Sequence, residues 1–216
     1  MNKIESLVGK KYDRLASIYD RRWQSYISNS LAFLVGFADI PAEAAVLDLA
    51  CGTGELTQLI LKKNSQQNIT GVDISQAMLA IARQKLTAYP NVNFHNATAT
   101  SLPVADNSFD LVICANAFHY FSSPEAVLLE IRRVLKPQGQ VIILDWCRDY
   151  FPLKIGDRLF KLIDSAYQQC YTQNELEKIL LASSFTLVKD SKARFDLIWE
   201  LMAVKAISSS IYDKTW

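Results

Sequence analysis

Asp48 sits inside the apolar run Ala45-Val46-Leu47-Asp48-Leu49, and the glycine pair Gly52 and Gly54 follows directly. Asp73 closes the next apolar run, nineteen residues beyond Gly54. Glycines let backbone approach a ligand closely and take turns that other residues resist. An acid about twenty residues further on can accept hydrogen bonds from both hydroxyls of an adenosine ribose. That arrangement suits a nicotinamide dinucleotide or S-adenosylmethionine, and two residues separate the two ligands. The dinucleotide fingerprint asks for a third small residue near the pyrophosphate, where this chain has Thr57. Asp48 would repel a pyrophosphate but suits a ligand carrying an ammonium and a sulfonium, by bracing the glycine loop or by facing the ligand through water. The electrostatics favour the sulfonium.

Further along, Asn116 and His119 lie in Asn116-Ala117-Phe118-His119-Tyr120-Phe121, just after an apolar run. Asn116 either faces the donor methyl group or forms a turn. His119 is a candidate general base toward an acceptor, with capping or packing as the competing reading. Tyr12, Tyr19 and Trp23 recur near helical spacing. They form either an aromatic lid attractive to a sulfonium or part of a core.

A doubly wound sheet must position these groups. A helical region from Lys10 to about Ile40 opens the chain, and Pro41 ends it. Strands follow at 45–49, 68–73, 92–95, 109–115 and 140–145, separated by helices at 55–63, from Ser75 through Leu86, and at 124–135. This alternation implies parallel pairing with right-handed crossovers. Lys136-Pro137-Gln138-Gly139 breaks the chain before the fifth strand. A helix capped by Thr172 comes next, then strands at 185–190 and 195–205. Only four residues separate these two, which forces a hairpin and one antiparallel edge strand.

Composition narrows the classes. The net charge is +1 with charges scattered, which argues against a nucleic-acid partner. Cys51, Cys114, Cys147 and Cys170 show no paired spacing, and only two histidines occur, so neither a disulfide framework nor a metal site is expected. No apolar run reaches membrane-spanning length and the N-terminus is unlike a signal peptide. The expectation is a cytoplasmic chain without an integral membrane segment.

Val46-Leu47-Asp48-Leu49-Ala50-Cys51-Gly52-Thr53-Gly54 resembles the first motif of the class I S-adenosylmethionine-dependent methyltransferases. Gly71-Val72-Asp73-Ile74-Ser75-Gln76-Ala77-Met78-Leu79 resembles their second. Ser101-Leu102-Pro103-Val104, Asp106-Asn107-Ser108-Phe109-Asp110-Leu111-Val112 and Leu135-Lys136-Pro137-Gln138-Gly139 resemble the approaches to strands four and five. The match covers roughly residues 42–145, and its nearest flavour is the small-molecule group of quinone and sterol methyltransferases. It implies a Rossmann-like, seven-stranded α/β sheet in one domain, residues 1–216. Residues 1–40 would be a helical lid, 42–145 the donor-binding core, 146–171 an acceptor-shaping segment, and 172–216 a C-terminal helix and hairpin.

The resemblance also implies roles. Backbone of Ala50, Gly52 and Gly54 should hold the methionine portion, Asp73 the ribose, and Ile74 and Met78 the adenine face. Tyr19-Asp20 resembles a lid motif. Relatives carry an acid at position 98 to accept from the adenine amino group. Here Thr98 stands beside Ala99, and a neutral hydroxyl accepts about half as strongly. Gln138 and Ser184 replace glycines common in relatives.

The expected reaction is in-line methyl transfer to a small, apolar or aromatic acceptor, in which alignment and water exclusion do most of the work. A base is needed only if the acceptor must lose a proton. The weighed alternatives are a nicotinamide-dependent oxidoreductase and a non-catalytic protein that binds an adenosyl ligand.

Overall fold

The computed structural model describes residues 1–195 and 199–209. Two helices, α1 (Lys3–Arg22) and α2 (Gln24–Ala38), precede the sheet. The core then alternates β1 (Val46–Leu49), α3 (Glu55–Lys63), β2 (Ile69–Asp73), α4 (Gln76–Lys85), β3 (Val92–Asn96) and β4 (Phe109–Ala115). A 3-10 turn (Phe118–Tyr120), α5 (Pro124–Val134), β5 (Leu135–Trp146), α6 (Phe151–Ile163) and α7 (Gln173–Ala182) follow, and β6 (Phe185–Phe195) and β7 (Trp199–Ser208) end the described chain.

The seven strands run in the order β3-β2-β1-β4-β5-β7-β6. Strands β1 to β5 pair in parallel, and β7 is antiparallel to both β5 and β6. The chain winds outward from β1 to β3, then crosses to β4 on the other side, so β1 and β4 flank the point where ligands bind in such sheets.

The alternation of side chains along β1 decides which helices it meets. Leu47 and Leu49 face a layer containing Val127, Leu128 and Ile131 of α5 and Leu176 and Leu180 of α7. Val46 faces the opposite layer, with Leu31, Leu34 and Val35 of α2 and Leu56 and Ile60 of α3. Asp48 shares the Val46 face and therefore emerges toward α3. Most of these apolar side chains are almost wholly buried, each contributing about 1.5–3 kcal/mol relative to exposure.

Four features differ from the sequence expectations. The leading helix is two helices parted at Trp23, whose ψ of 22° with φ of −114° departs from helical geometry. No glycine or proline marks the break, and apolar periodicity runs through it. The start lies at Lys3 instead of Lys10, set by a capping box between Asn2 and Glu5.

The antiparallel strand is β7, one place in from the edge, and β6 closes the sheet. The hairpin turn falls later than predicted. Residues 191–194, read as its loop, continue β6, where exposed and half-buried residues alternate as on a strand with one wet face. Residues 196–198, placed in the second strand, lie outside the described residues.

At β5 the strand takes in Leu135, and residues 136–139 bulge out between the pairs Phe109–Leu135 and Leu111–Gln140. Gln138 and Ser184 adopt left-handed φ values of 63° and 62°. Both turns thus keep a conformation that glycine takes at lower cost.

Candidate active site

Left-handed backbone winds the loop after β1: φ is 59° at Ala50, 54° at Gly52 and 79° at Gly54. The loop pins itself in this shape: Cys51 N donates to Val72 O at 3.1 Å, and Gly54 N to Cys51 O at 2.9 Å. A Cβ added to Gly52 would meet nothing within 4 Å, so its open side faces space. Gly54 serves differently. A Cβ there would approach Ala82 Cβ and Leu86 Cδ1 to 3.2 Å. Gly54 admits α4 and starts α3, and it does not line the cleft.

Asp73 ends β2 beside this loop. Its Oδ2 accepts from Gly52 N at 2.8 Å and its Oδ1 from Ser75 N at 2.8 Å. A carboxylate offers about four lone-pair sites, so these bonds leave acceptor capacity on a residue that lines the cleft. Burial raises the Asp73 pKa, and the backbone bonds from Ser75 and Gly52 hold part of that rise back.

Asp48 does not line the cleft, so of its two expected roles, bracing the glycine loop or facing the ligand through water, the second is corrected. It is 2% exposed and accepts from Thr57 Oγ1 at 2.7 Å. Burial pushes its pKa up to about 7, which quenches part of the charge on which the sulfonium argument relied. The loop brace is Asp73, and Thr57, read as an obstacle to pyrophosphate, is the partner of Asp48.

The cleft occupies about 900 Å3 out to its open mouth. Of the predicted donor residues, Tyr19, Ala50, Gly52, Asp73, Ile74, Met78, Ala99 and Asn116 line it, and Thr98 does not. Thr98 forms a β-bridge with Ser101, and its hydroxyl lies 3.2 Å from that of Thr100. Thr100 faces the cleft and donates to Glu5 Oε1 at 3.0 Å. Glu5 also lines the cleft, which sequence reading missed. The signal was present as the Asn2–Glu5 capping box, which carries the first helix back far enough to reach the end of β3.

Besides the Glu5–Thr100 bond, helix α1 is fastened over this cleft at three further places. Asp13 accepts from Ser75 Oγ at 2.6 Å and Ala77 N at 3.1 Å, at the N-terminus of α4. Asp20 accepts from Thr53 Oγ1 at 2.6 Å and Lys85 Nζ at 2.5 Å. Lys11 pairs with Asp164 at 2.5 Å and donates to Tyr120 Oη at 2.7 Å.

A second chamber, about 1550 Å3 including its mouth, adjoins the first and shares Tyr12, Tyr19, Asn116 and Tyr120 with it. Its remaining wall includes Tyr26, His119, Trp146, Phe160 and Tyr167. Asn116 takes a φ of 57°, so it does form a turn, and it also faces both cavities. Its amide is committed to α2, accepting from Tyr26 Oη at 2.6 Å and donating to Ser30 Oγ at 3.1 Å.

His119 is held at its backbone N–H, at Nδ1 and at its ring face. Asp145, at the end of β5, accepts from His119 N at 2.7 Å through Oδ2 and lies 2.7 Å from Nδ1 through Oδ1. The His119 ring stacks on Trp146 at 4.5 Å with 7° between planes. With Nδ1 as the donor to Asp145, Nε2 is left as the basic nitrogen. Sequence reading named His119 without its partner. An acid closing the apolar run Val141-Ile142-Ile143-Leu144, at the ligand end of the sheet, was the available signal.

Residues 46–139 match a family model described as a methyltransferase domain. The chain is 26% identical over 200 residues to demethylmenaquinone methyltransferase of Staphylococcus epidermidis, covering 89% of this chain and 80% of that one. It is 31% identical over 156 residues to 2-phytyl-1,4-naphtoquinone methyltransferase of Thermosynechococcus vestitus, covering 68% of this chain and 65% of that one. Its fold superposes on magnesium protoporphyrin IX methyltransferase of Synechocystis PCC 6803, solved with bound SAH, at a TM-score of 0.73 and 19% identity, over 96% and 100% of the two chains. With the glycine loop and the buried Asp73 carboxylate at the switch point of that fold, the chain belongs to the S-adenosylmethionine-dependent methyltransferases, not to the nicotinamide-dependent oxidoreductases.

Proposed function

We propose that the chain methylates a lipophilic ring acceptor, a quinol or phenol, bound in the aromatic chamber, with His119 taking up the acceptor's proton. The observation that carries this reading is the shared wall. Tyr12, Tyr19, Asn116 and Tyr120 line both cavities, and His119 lines only the chamber. A donor in the cleft and a ring in the chamber would meet across that wall. The acceptor class follows the quinones in the names of the relatives and suits the ring-rich lining.

On this reading residues 42–145 hold the donor, 1–40 cover it and 146–171 shape the acceptor site. The Asp73 carboxylate would accept from the ribose hydroxyls, and Ile74 and Met78 would face the adenine. Backbone at Ala50 and Gly52 would hold the methionine portion. Glu5, with Thr100 and Ala99 beside it, would supply the carboxylate for the adenine amino group that Thr98 lacks. Tyr12 and Tyr19, whose phenols are neutral and whose pKa values burial raises further, offer ring faces to a sulfonium.

S-Adenosylmethionine supplies an electrophilic methyl group whose departure leaves a neutral thioether, so no residue need assist the leaving group. The acceptor proton is the one charge the chain must manage. His119 Nε2 would take it as the new bond to the methyl carbon forms, and Asp145 would stabilise the resulting imidazolium. Incubating the enzyme with labelled donor and a panel of prenylated naphthoquinols, simple phenols and amines tests this. Label should enter the quinols or phenols; transfer confined to amines overturns the acceptor assignment.

A further inference from the structure

Helix α6 presents an apolar stripe outward. Phe151, Ile155, Leu159, Leu162 and Ile163 are 52–84% exposed, and their spacing of four, four, three and one residues keeps them on one face. Lys154, Arg158 and Lys161 form an adjacent row. The only acid of the helix, Asp157, is 4% exposed and turned inward, accepting from Tyr167 Oη and Cys170 N at 2.7 Å. Its second oxygen meets Lys161 at 3.1 Å, leaving Lys154 and Arg158 as the outward charge. The same helix walls the chamber with Phe160 and Ile163, and exposed Lys10 and Arg14 of α1 stand at that chamber too.

Such a helix, apolar on one side with a cationic row beside it, is built to lie in a lipid interface. A second copy is a poor occupant, because a two-fold contact sets a face against its own kind. It would bring cationic rows together with no acid on the face to meet them. We propose that the outer face of α6 docks on the headgroup layer of an anionic phospholipid bilayer, placing the chamber mouth at the lipid from which a tailed acceptor would enter. The docking stands on the helix alone, and the delivery of acceptor rests on the reading of function given above.

Sedimentation of the full chain with vesicles of phosphatidylcholine, with and without phosphatidylglycerol, tests the proposal. The protein should partition to the mixed vesicles and release as salt is raised. Lys154→Gln with Arg158→Gln should weaken that binding roughly thirtyfold. Ile155→Asp with Leu162→Asp should remove it, with S-adenosylhomocysteine binding unchanged in both variants as the control for folding. A wild-type chain that stays in the supernatant, or variants that bind as it does, overturns the proposal. So does a dimer in analytical ultracentrifugation that Ile155→Asp with Leu162→Asp dissociates. Vesicle binding without methylation of any ring acceptor would leave the docking standing and sink the acceptor assignment instead.

Discussion

The donor cleft and the acceptor chamber are built by different means, although they share a wall. The cleft is made chiefly of backbone and short-range sequence: the wound loop at residues 50–54, Asp73 four residues into β2, and the start of α4 capped by Ser75. The chamber is made of side chains drawn from α1, α2, the 3-10 turn, β5, α6 and the segment after it. A backbone site tolerates changes in most surrounding side chains but depends on a few turn residues. A side-chain site depends on the identity of each ring. The contrast teaches that donor binding and acceptor chemistry should respond to separate sets of substitutions.

The sharpest test of that separation is His119→Ala, expected to lower kcat by about 10²- to 10⁴-fold while calorimetry with S-adenosylhomocysteine gives an unchanged Kd. Imidazole added in solution should restore part of the rate, an effect a packing role would not produce. Asp145→Asn should cost less and resist that rescue, because the ring is present but misdirected.

Next comes Asp73→Ala, which removes two charge-assisted acceptors, each contributing about 1.5–3 kcal/mol. The Kd for S-adenosylhomocysteine should rise on the order of a hundredfold or more, and binding that survives the substitution would break the ribose assignment. Glu5→Gln is milder. It should raise the donor KM by roughly tenfold with little change in kcat, and an unchanged KM would remove Glu5 from the cleft's chemistry.

The smallest effect on donor binding belongs to Asp48, which lines neither cavity. Its folded pKa of about 7 lies above the ordinary carboxylate value of 3.8 because of burial. Between those values the unfolded chain binds fewer protons, so stability falls as pH rises, by up to about 1.4 kcal/mol per pH unit. Asp48→Asn should flatten the fall in Tm between pH 5 and pH 7, with the donor Kd unaltered. A slope that persists would place the titrating group elsewhere.

Legibility in the sequence followed the same division. The bounds of α3 and β4 are those read from apolar periodicity and turn residues, and β1, β2 and α4 lie within a residue or two of theirs. Asp73, Gly52, Ile74 and Met78 were named because they stand within two short motifs. What stayed hidden is long-range. Glu5 reaches Thr100 across 95 positions and Asp145 reaches His119 across 26, and no local pattern announces a partner at such distance. Asp48 was misplaced because its charge was weighed before the face of β1 it occupies. The hairpin turn was misplaced because a polar, half-wet strand has the composition of a loop.

The parting at Trp23 has a mechanical consequence. Helix α1 buries only Gly9 and Ala16, whereas α2 buries eight residues against the sheet. The first helix is therefore a visor hung on its polar fasteners, and the second is part of the skull. Cutting the chain after Arg22 should leave a cooperatively melting protein that releases S-adenosylhomocysteine faster. Ligand traffic in the intact chain would then be set by how often Glu5, Lys11, Asp13 and Asp20 let go together, not by any loosening of the sheet.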